Sequence, residues 1–381
     1  MLRASREIQW RRPKTRVMVL GDVWLDFDPA ALVTTGLDVD DDLAFLVLLA
    51  LQSRVQLNIV GISVVAGNAA LRDTLDNAKL LLRYAGVDVV PAAGASWHDM
   101  HVPWPWVRRL HKLRGDVKSS PDAAAAMRAE ILARPPQTLT IIALGPLTNV
   151  AAVLRDDAVA GRVRRVVSMG GALDGKRLDL NWMSDRAAAR AVLAAKAPVT
   201  IVPVELCAQA AVRLADVDRL VARCCPGAAV CALARGLRRQ CAFSQRFVNG
   251  GLAQRVPDVH VALGAGPAFV PWDVVAVLAA ARPELFGEWR DFEVTVPPCA
   301  SGEPCDGTVS VRRAANASVR APVRLSPGGV VDSLVDLVCE VPAVGAAPGV
   351  VAGGAPVLFG SFAVAGVVPW LLLLRVVFRK R

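Results

Sequence analysis

VWLDFDPAALVTTGLDVDDDLAFLVLLAL, residues 23–51, sets six aspartates between a short apolar run and a long one. VWL predicts a strand, and Asp26 and Asp28 leave its end one residue apart around a Pro-terminated turn. After a loop, Asp38, Asp40, Asp41 and Asp42 lead into LAFLVLLAL, which is too long for a typical strand and predicts a buried helix. A helix N-terminus favours carboxylates, so one or two of these acids need no explanation beyond capping, and a solvated acidic loop with a cap is the plain alternative. Six exceed what capping requires. That many negative charges beside an apolar helix call for a neutralising cation, and hard oxygen ligands suit Ca²⁺ or Mg²⁺.

Outward from this stretch the chain alternates strand and helix. VQLNIVGISVVAGN predicts a strand closed by Gly67-Asn68, ALRDTLDNAKLLLRYAGV a helix, and VDVVPAAGA an extended run. DAAAAMRAEILARPP, TLTIIAL with the turn Gly145-Pro146-Leu147-Thr148-Asn149, VRRVVSMGGA, the segment Asp179–Asp185 leading into RAAARAVLAA, and VTIVPVEL continue the rhythm to about residue 210. This alternation predicts an α/β fold, one large domain over 17–335 with a mostly parallel central sheet flanked by helices. In such folds functional residues sit at the carboxyl ends of the strands. Asp28, Asn68, Leu144, Met169 and Asn181 fall there and are expected around one cleft. Farther on, AFVPWDVVAVLAAARPELF sets Trp272 and Asp273 at the head of a second apolar helix.

Composition narrows the function. The formal charge is +10, but residues 1–16 carry +5 and residues 341–381 carry +4. The remaining body is nearly neutral, which argues against a nucleic-acid-binding face. The first 16 residues read as a basic arm. Residues 357–374 form an 18-residue, mostly apolar run followed by Arg375, Arg379, Lys380 and Arg381, at the lower edge of a membrane span. The 341–381 tail is thus expected to be a membrane anchor on a cytoplasmic-facing protein, with a partly disordered Gly/Ala/Pro-rich tail as the alternative. Eight cysteines form no CxxC pair, which speaks against zinc and for reduced thiols. Residues 97–120, rich in Trp and His, read as a surface excursion or a lid.

LDFDP, VDDDLAF, VVAGN, DNAKLL, ALGPLTN, MGGA, DLNWMSDRAA, PWDVVAV and ARPELF, in that order, resemble the inosine/uridine-preferring nucleoside hydrolases. The resemblance implies Ca²⁺ held by Asp28, Asp41, Asp273 and the backbone carbonyl of Leu144. It implies ribose hydroxyls bound by Asp40, Asn68, Asp179, Asn181 and Asp273, Met169 lining the pocket, and a homo-oligomer. Two departures stand out: Asp179 replaces the Glu of many members, and the 173–177 loop LDGKR is short and lacks the usual Asn.

The expected reaction is hydrolysis of a ribonucleoside N-glycosidic bond through an oxocarbenium-like ribosyl species, with Asp28 as general base. Pyrimidine-active members resemble one another in carrying His before the Asp of PWD. Trp272 stands there in this chain and would stack on the leaving base, which predicts a purine preference. Two rival readings compete. VWLDFDP also resembles the hhhDxD opening of haloacid dehalogenase-type phosphatases, with Asp26 as nucleophile. The other rival is a nucleoside-binding, membrane-tethered pseudoenzyme.

Overall fold

The computed structural model describes residues 20–30, 39–54, 56–96, 122–174, 179–224, 238, 268–297, 309–314, 317, 319–326 and 328–339. The basic arm, the 97–120 segment, most of the 173–177 loop and the 341–381 tail lie outside those residues. Among the described residues no helix is long and apolar enough to cross a membrane.

The sheet grows from the predicted alternation. In chain order its strands are β1 (Gly21–Phe27), β2 (Leu57–Val64), β3 (Ala92–Ala93), β4 (Leu139–Ala143), β5 (Arg165–Met169), β6 (Val199–Val202), then β7 (Val212–Arg213) and β8 (Ala268–Phe269), which pair apart from it, and β9 (Phe286–Thr295), β10 (Ser310–Arg313) and β11 (Val319–Leu325). The nine-stranded sheet runs β10-β9-β11-β6-β5-β4-β1-β2-β3. From β3 to β6, and on to β11, neighbours are parallel, whereas β9 pairs antiparallel with both β10 and β11. The sheet is therefore mostly parallel, with an antiparallel margin that the sequence pattern had not disclosed. VDVVPAAGA contributes only the two-residue β3.

The helices are α1 (Asp40–Ser53), α2 (Leu71–Tyr84), α3 (Asp122–Ala133), α4 (Thr148–Leu154), α5 (Asp157–Ala160), α6 (Leu180–Ser184), α7 (Arg186–Ala194), α8 (Val204–Cys207), α9 (Leu214–Cys224), α10 (Trp272–Ala281) and α11 (Gly329–Val338). LAFLVLLAL is helical, as its length predicts, and eight of those nine residues are buried. Since α1 is apolar on every side, it must be enclosed, and it is: β1, α2, α10 and α11 share one core with it. A second core holds α3, α4, α5 and α7. β1 divides its side chains between the two, Val23, Leu25 and Phe27 to the first and Trp24 to the second. A strand covered on both sides reads as a continuous apolar run, which is why VWL was legible.

This topology fixes the place of the site. From β1 the chain moves outward to β2 and β3, then returns to the other side of β1 as β4 and proceeds to β5 and β6. The order reverses between β1 and β4, so the crevice beyond their carboxyl ends is the switch point where open α/β sheets bind ligands. Asp28 follows β1 and Leu144 follows β4 at that crevice.

Candidate active site

The carboxylates of Asp40, Asp41 and Asp273 offer oxygens within 4.8 Å of one another, and all three residues are buried. Asp40 and Asp41 open α1, while Asp273 is the second residue of α10, so two apolar helices meet the sheet with acids at their N-terminal ends. Each helix dipole favours its acid by about 0.3–1 kcal/mol. Two ionised carboxylates at that separation repel by roughly 3–4 kcal/mol at an effective dielectric constant of about 20. The repulsion outweighs the dipoles, so the cluster requires a proton or a cation. Its donors are hard oxygens without sulfur or imidazole, which fits Ca²⁺ or Mg²⁺.

Asp28 adjoins the cluster through Asp41 and Asn68. Its backbone N–H donates to Asp41 Oδ1 at 3.2 Å, Asn68 N–H donates to Asp28 Oδ2 at 2.7 Å, and Asn68 Nδ2 donates to Asp41 Oδ2 at 3.0 Å. One asparagine thus ties both acids together. Room for the Asp28 carboxylate comes from two glycines. A Cβ at Gly67 would lie 2.9 Å from Asp28 Cγ and 2.8 Å from Pro146 Cδ, and one at Gly145 would lie 2.9 Å from the same Cγ.

On the other side of the crevice, Asn181 Nδ2 donates to the Leu144 carbonyl at 2.6 Å and stands 3.3–3.4 Å from the Met169 carbonyl and sulfur. Asp179 aims it. As the N-cap of α6 its carboxylate accepts from the N–H groups of Asn181 and Trp182 at 3.2 and 2.8 Å, and from Gly171 at 2.9 Å. Burial raises the Asp179 pKa to about 6, against the lowering effect of those three amides. Gly170 and Gly171 both have positive φ, and Trp182 covers them, with its indole N–H on Ser168 Oγ at 3.2 Å.

The site residues named from the sequence fall into two groups. Asp28, Asp40, Asp41, Asn68 and Asp273 form the first, and Leu144, Met169, Asp179 and Asn181 the second. Trp272 opens α10 beside Asp273, half-buried against the first core, and its carbonyl faces the Cys207 thiol at 3.7 Å. Asp40 stands with Asp41 and Asp273 in the tight group, a placement that only the rotation of α1 decides.

Several roles near the site escaped the sequence reading. Asp26 is fully buried, its Oδ1 accepting from Ser63 Oγ at 2.5 Å and Asn149 Nδ2 at 2.8 Å, and burial raises its pKa to about 6 against those two bonds. Trp24 completes the network through Ser63 at 2.8 Å. Asn149 also accepts from Ala95 N–H at 2.8 Å, so the GPLTN turn is stitched to the ends of β1 and β2. Glu205, just past β6, accepts from Leu173 N–H at 2.6 Å. Burial, then Asp273, Glu205, Asp40 and Asp179 in turn, push the Cys207 thiol far up, which keeps it neutral amid the acids. Position after a strand was the available signal for Glu205. Nothing short of the fold distinguishes Asn149 from a turn residue.

Comparison with known proteins gives a consistent result. A profile described as inosine-uridine preferring nucleoside hydrolase matches residues 23–332. The chain is 30% identical to uridine nucleosidase 1 of Arabidopsis thaliana over 67% of its own length and 74% of that protein's. It is 28% identical to the pyrimidine-specific ribonucleoside hydrolase RihA of Klebsiella pneumoniae, over 48% of its own length and 63% of that protein's. Among solved structures, the purine-preferring ribonucleoside hydrolase from Gardnerella vaginalis superposes with a TM-score of 0.61 at 18% identity, covering 84% of this chain and 98% of that one.

Proposed function

The chain belongs to the inosine-uridine preferring nucleoside hydrolase family, and from that membership we propose that it hydrolyses the N-glycosidic bond of ribonucleosides to ribose and free base, with Ca²⁺ as cofactor and purine nucleosides favoured. The observation that carries this reading is the buried Asp40, Asp41 and Asp273 group beside Asp28 at the β1/β4 switch point. Asp28, Asp41, Asp273 and the Leu144 carbonyl are the proposed metal ligands, with Asp40 close enough to join them. When bound, Ca²⁺ supplies a Lewis acid that lowers the pKa of water and polarises hydroxyl oxygens.

The chain's own groups do the rest. Asp28, oriented by the Asn68 N–H, accepts a proton from the attacking water. Asp40, Asp273, Asn68 and Asn181 bind ribose hydroxyls. Asn181 spends its amide N–H on the Leu144 carbonyl and so presents its Oδ1 as acceptor. Asp179 fixes Asn181 through the first turn of α6 and keeps a lone pair on Oδ1 for a hydroxyl. Carboxylates on this side of the sugar favour the positive charge that develops on the ribosyl ring. Met169 walls the pocket beside Asn181. Trp272 at the head of α10 stacks on the departing base, and a purine offers the larger face.

The phosphatase alternative leans on Asp26 as nucleophile. That carboxylate is fully buried and holds Ser63 and Asn149, which suits a structural hub better than an attacking group. The deciding experiment measures release of reducing sugar and free base from inosine, guanosine, adenosine, uridine and cytidine, before and after chelation and Ca²⁺ restoration. Ca²⁺-dependent base release with purines ahead is expected. Full turnover after complete metal removal would end the metal assignment, and absence of turnover on all five would end the hydrolase reading.

A further inference from the structure

The third acid of the run, Asp42, lies outside the proposed metal group. It is fully buried and its Oδ1 accepts a hydrogen bond from Nδ2 of Asn77, also fully buried, at 2.8 Å. We propose that the Asp42–Asn77 pair is a rotational lock, a pair of positioning residues that set which acids of α1 face the metal. The proposal rests on the metal reading above and deepens it.

The argument begins with α1 itself. Successive side chains on a helix leave about 100° apart, so three consecutive acids must face three directions. Asp40 joins Asp273, Asp41 meets Asp28 and Asn68, and Asp42 meets α2. A helix with a polar face is oriented by that face. α1 has little of one: from Leu43 to Leu51 only Leu49 is less than fully covered, Gln52 at its far end accepts from the Ile59 N–H at 2.8 Å, and its N-cap residue Val39 makes no side-chain cap bond. Its neighbour α10 is equally featureless, VVAVLAAA after Asp273. Apolar contact between two such cylinders resists separation and resists rotation poorly.

α2 provides the fixed reference. Its Leu71, Thr74, Ala78 and Leu81 form the buried stripe of an amphipathic helix, while Arg72, Asp76, Lys79 and Arg83 face out. Thr74 Oγ1 donates to the Val65 carbonyl at 3.1 Å, tying α2 to the segment that carries Asn68. Asn77 lies on the same buried stripe, so its amide meets α1 from a helix whose own rotation is settled. A directional bond between buried polar groups is the known means by which an otherwise apolar interface selects one register.

The test measures Ca²⁺ binding by calorimetry on the full chain, with the metal alone. Asn77→Leu keeps every charge and removes the bond. The exchange Asp42→Asn with Asn77→Asp keeps the charge and re-forms the bond in reverse. Asn77→Leu is expected to raise the Ca²⁺ Kd by about tenfold or more, the cost seen when groups that orient metal ligands are lost. The exchange is expected to return it to within about threefold of the unaltered chain. A Kd in Asn77→Leu within about threefold overturns the proposal even if its melting temperature falls, since a mere brace would act on stability alone. A folded exchange variant that binds as weakly as Asn77→Leu also overturns it. If Asn77→Leu does not fold, Asn77→Ser takes its place under the same criteria. Absence of Ca²⁺ binding by the unaltered chain would instead bring down the metal reading, and the lock with it.

Discussion

Gly145→Ala tests how tightly the fold constrains Asp28. A Cβ at residue 145 would lie 2.8 Å from Val65 Cγ1 and 2.9 Å from Asp28 Cγ, with Oδ1 closer still, while ordinary contact begins at 3.4 Å. Val65 is fully buried, and Asp28 is held by the Asn68 N–H. The carboxylate must therefore retreat by about 1 Å to restore normal contact. Gly145 does not have a positive φ, so alanine suits its backbone and the effect is one of contact alone. Overpacking of this kind costs about 1–3 kcal/mol of stability. A displacement of about 1 Å in a reacting group costs on the order of 10²-fold in rate. kcat/KM on inosine, followed by reducing-sugar release, should fall by about that factor, with Ca²⁺ affinity falling alongside. Gly287→Ala is the matched control, because nothing lies within 4 Å of its added carbon. If Gly145→Ala keeps kcat/KM within about threefold of the parent, Asp28 does not act from the position described.

Trp272→Ala should lower kcat/KM on inosine and guanosine more than on uridine, and comparable parent values for inosine and uridine would refute base stacking as the source of preference. Asp179 predicts a pH effect on the metal-free protein. Burial raises its pKa to about 6, so the native state keeps a proton that the unfolded chain releases near 3.8; the stability this confers is complete below about pH 4 and lost as pH rises through about 6. The loss amounts to roughly 3 kcal/mol, and Asp179→Asn should flatten that part of the stability profile; an unchanged slope between pH 4 and 7 in denaturant titrations would contradict it. Ending the chain after Glu340 should leave Ca²⁺-dependent turnover intact, since the proposed site residues run from Asp28 to Asp273; a folded truncation without activity would place part of the site in the tail.

The sequence discloses this site where burial writes itself into composition. β1, β4 and β5 are covered on both faces over their central residues, so VWL, TLTIIAL and VVSM (166–169) carry no charge and are largely apolar, and each hands its next residues to the crevice. The antiparallel margin is different: FGEWRDFEVT in β9 is half-exposed along most of its length and mixes Glu, Arg and Asp with its aromatics, which blurs any strand period. The segment Asp179–Asp185 reads as an approach to one helix, yet Asp179 and Asp185 each cap a helix of their own. Asp26 and Asp42 belong in the sequence to the six-acid stretch that calls for a cation. In the fold one holds Ser63 and Asn149 and the other Asn77, because adjacent residues on a strand or helix face different neighbours.

The separation of Asp273 from Asp41 along the chain has a consequence for the order of events during synthesis. At about 5–20 residues per second, the acids of α1 leave the ribosome roughly 10–50 s before Asp273 does. β1, α1 and β2 are neighbours in sequence and are free to assemble in that interval, while the cluster lacks the member supplied by α10. On the proposed metal reading, strong cation binding would therefore arrive with the last third of the domain. A bound ion would then consolidate a nearly finished fold and not seed it, in contrast to small metal-binding modules whose ligands lie within a few turns of one another.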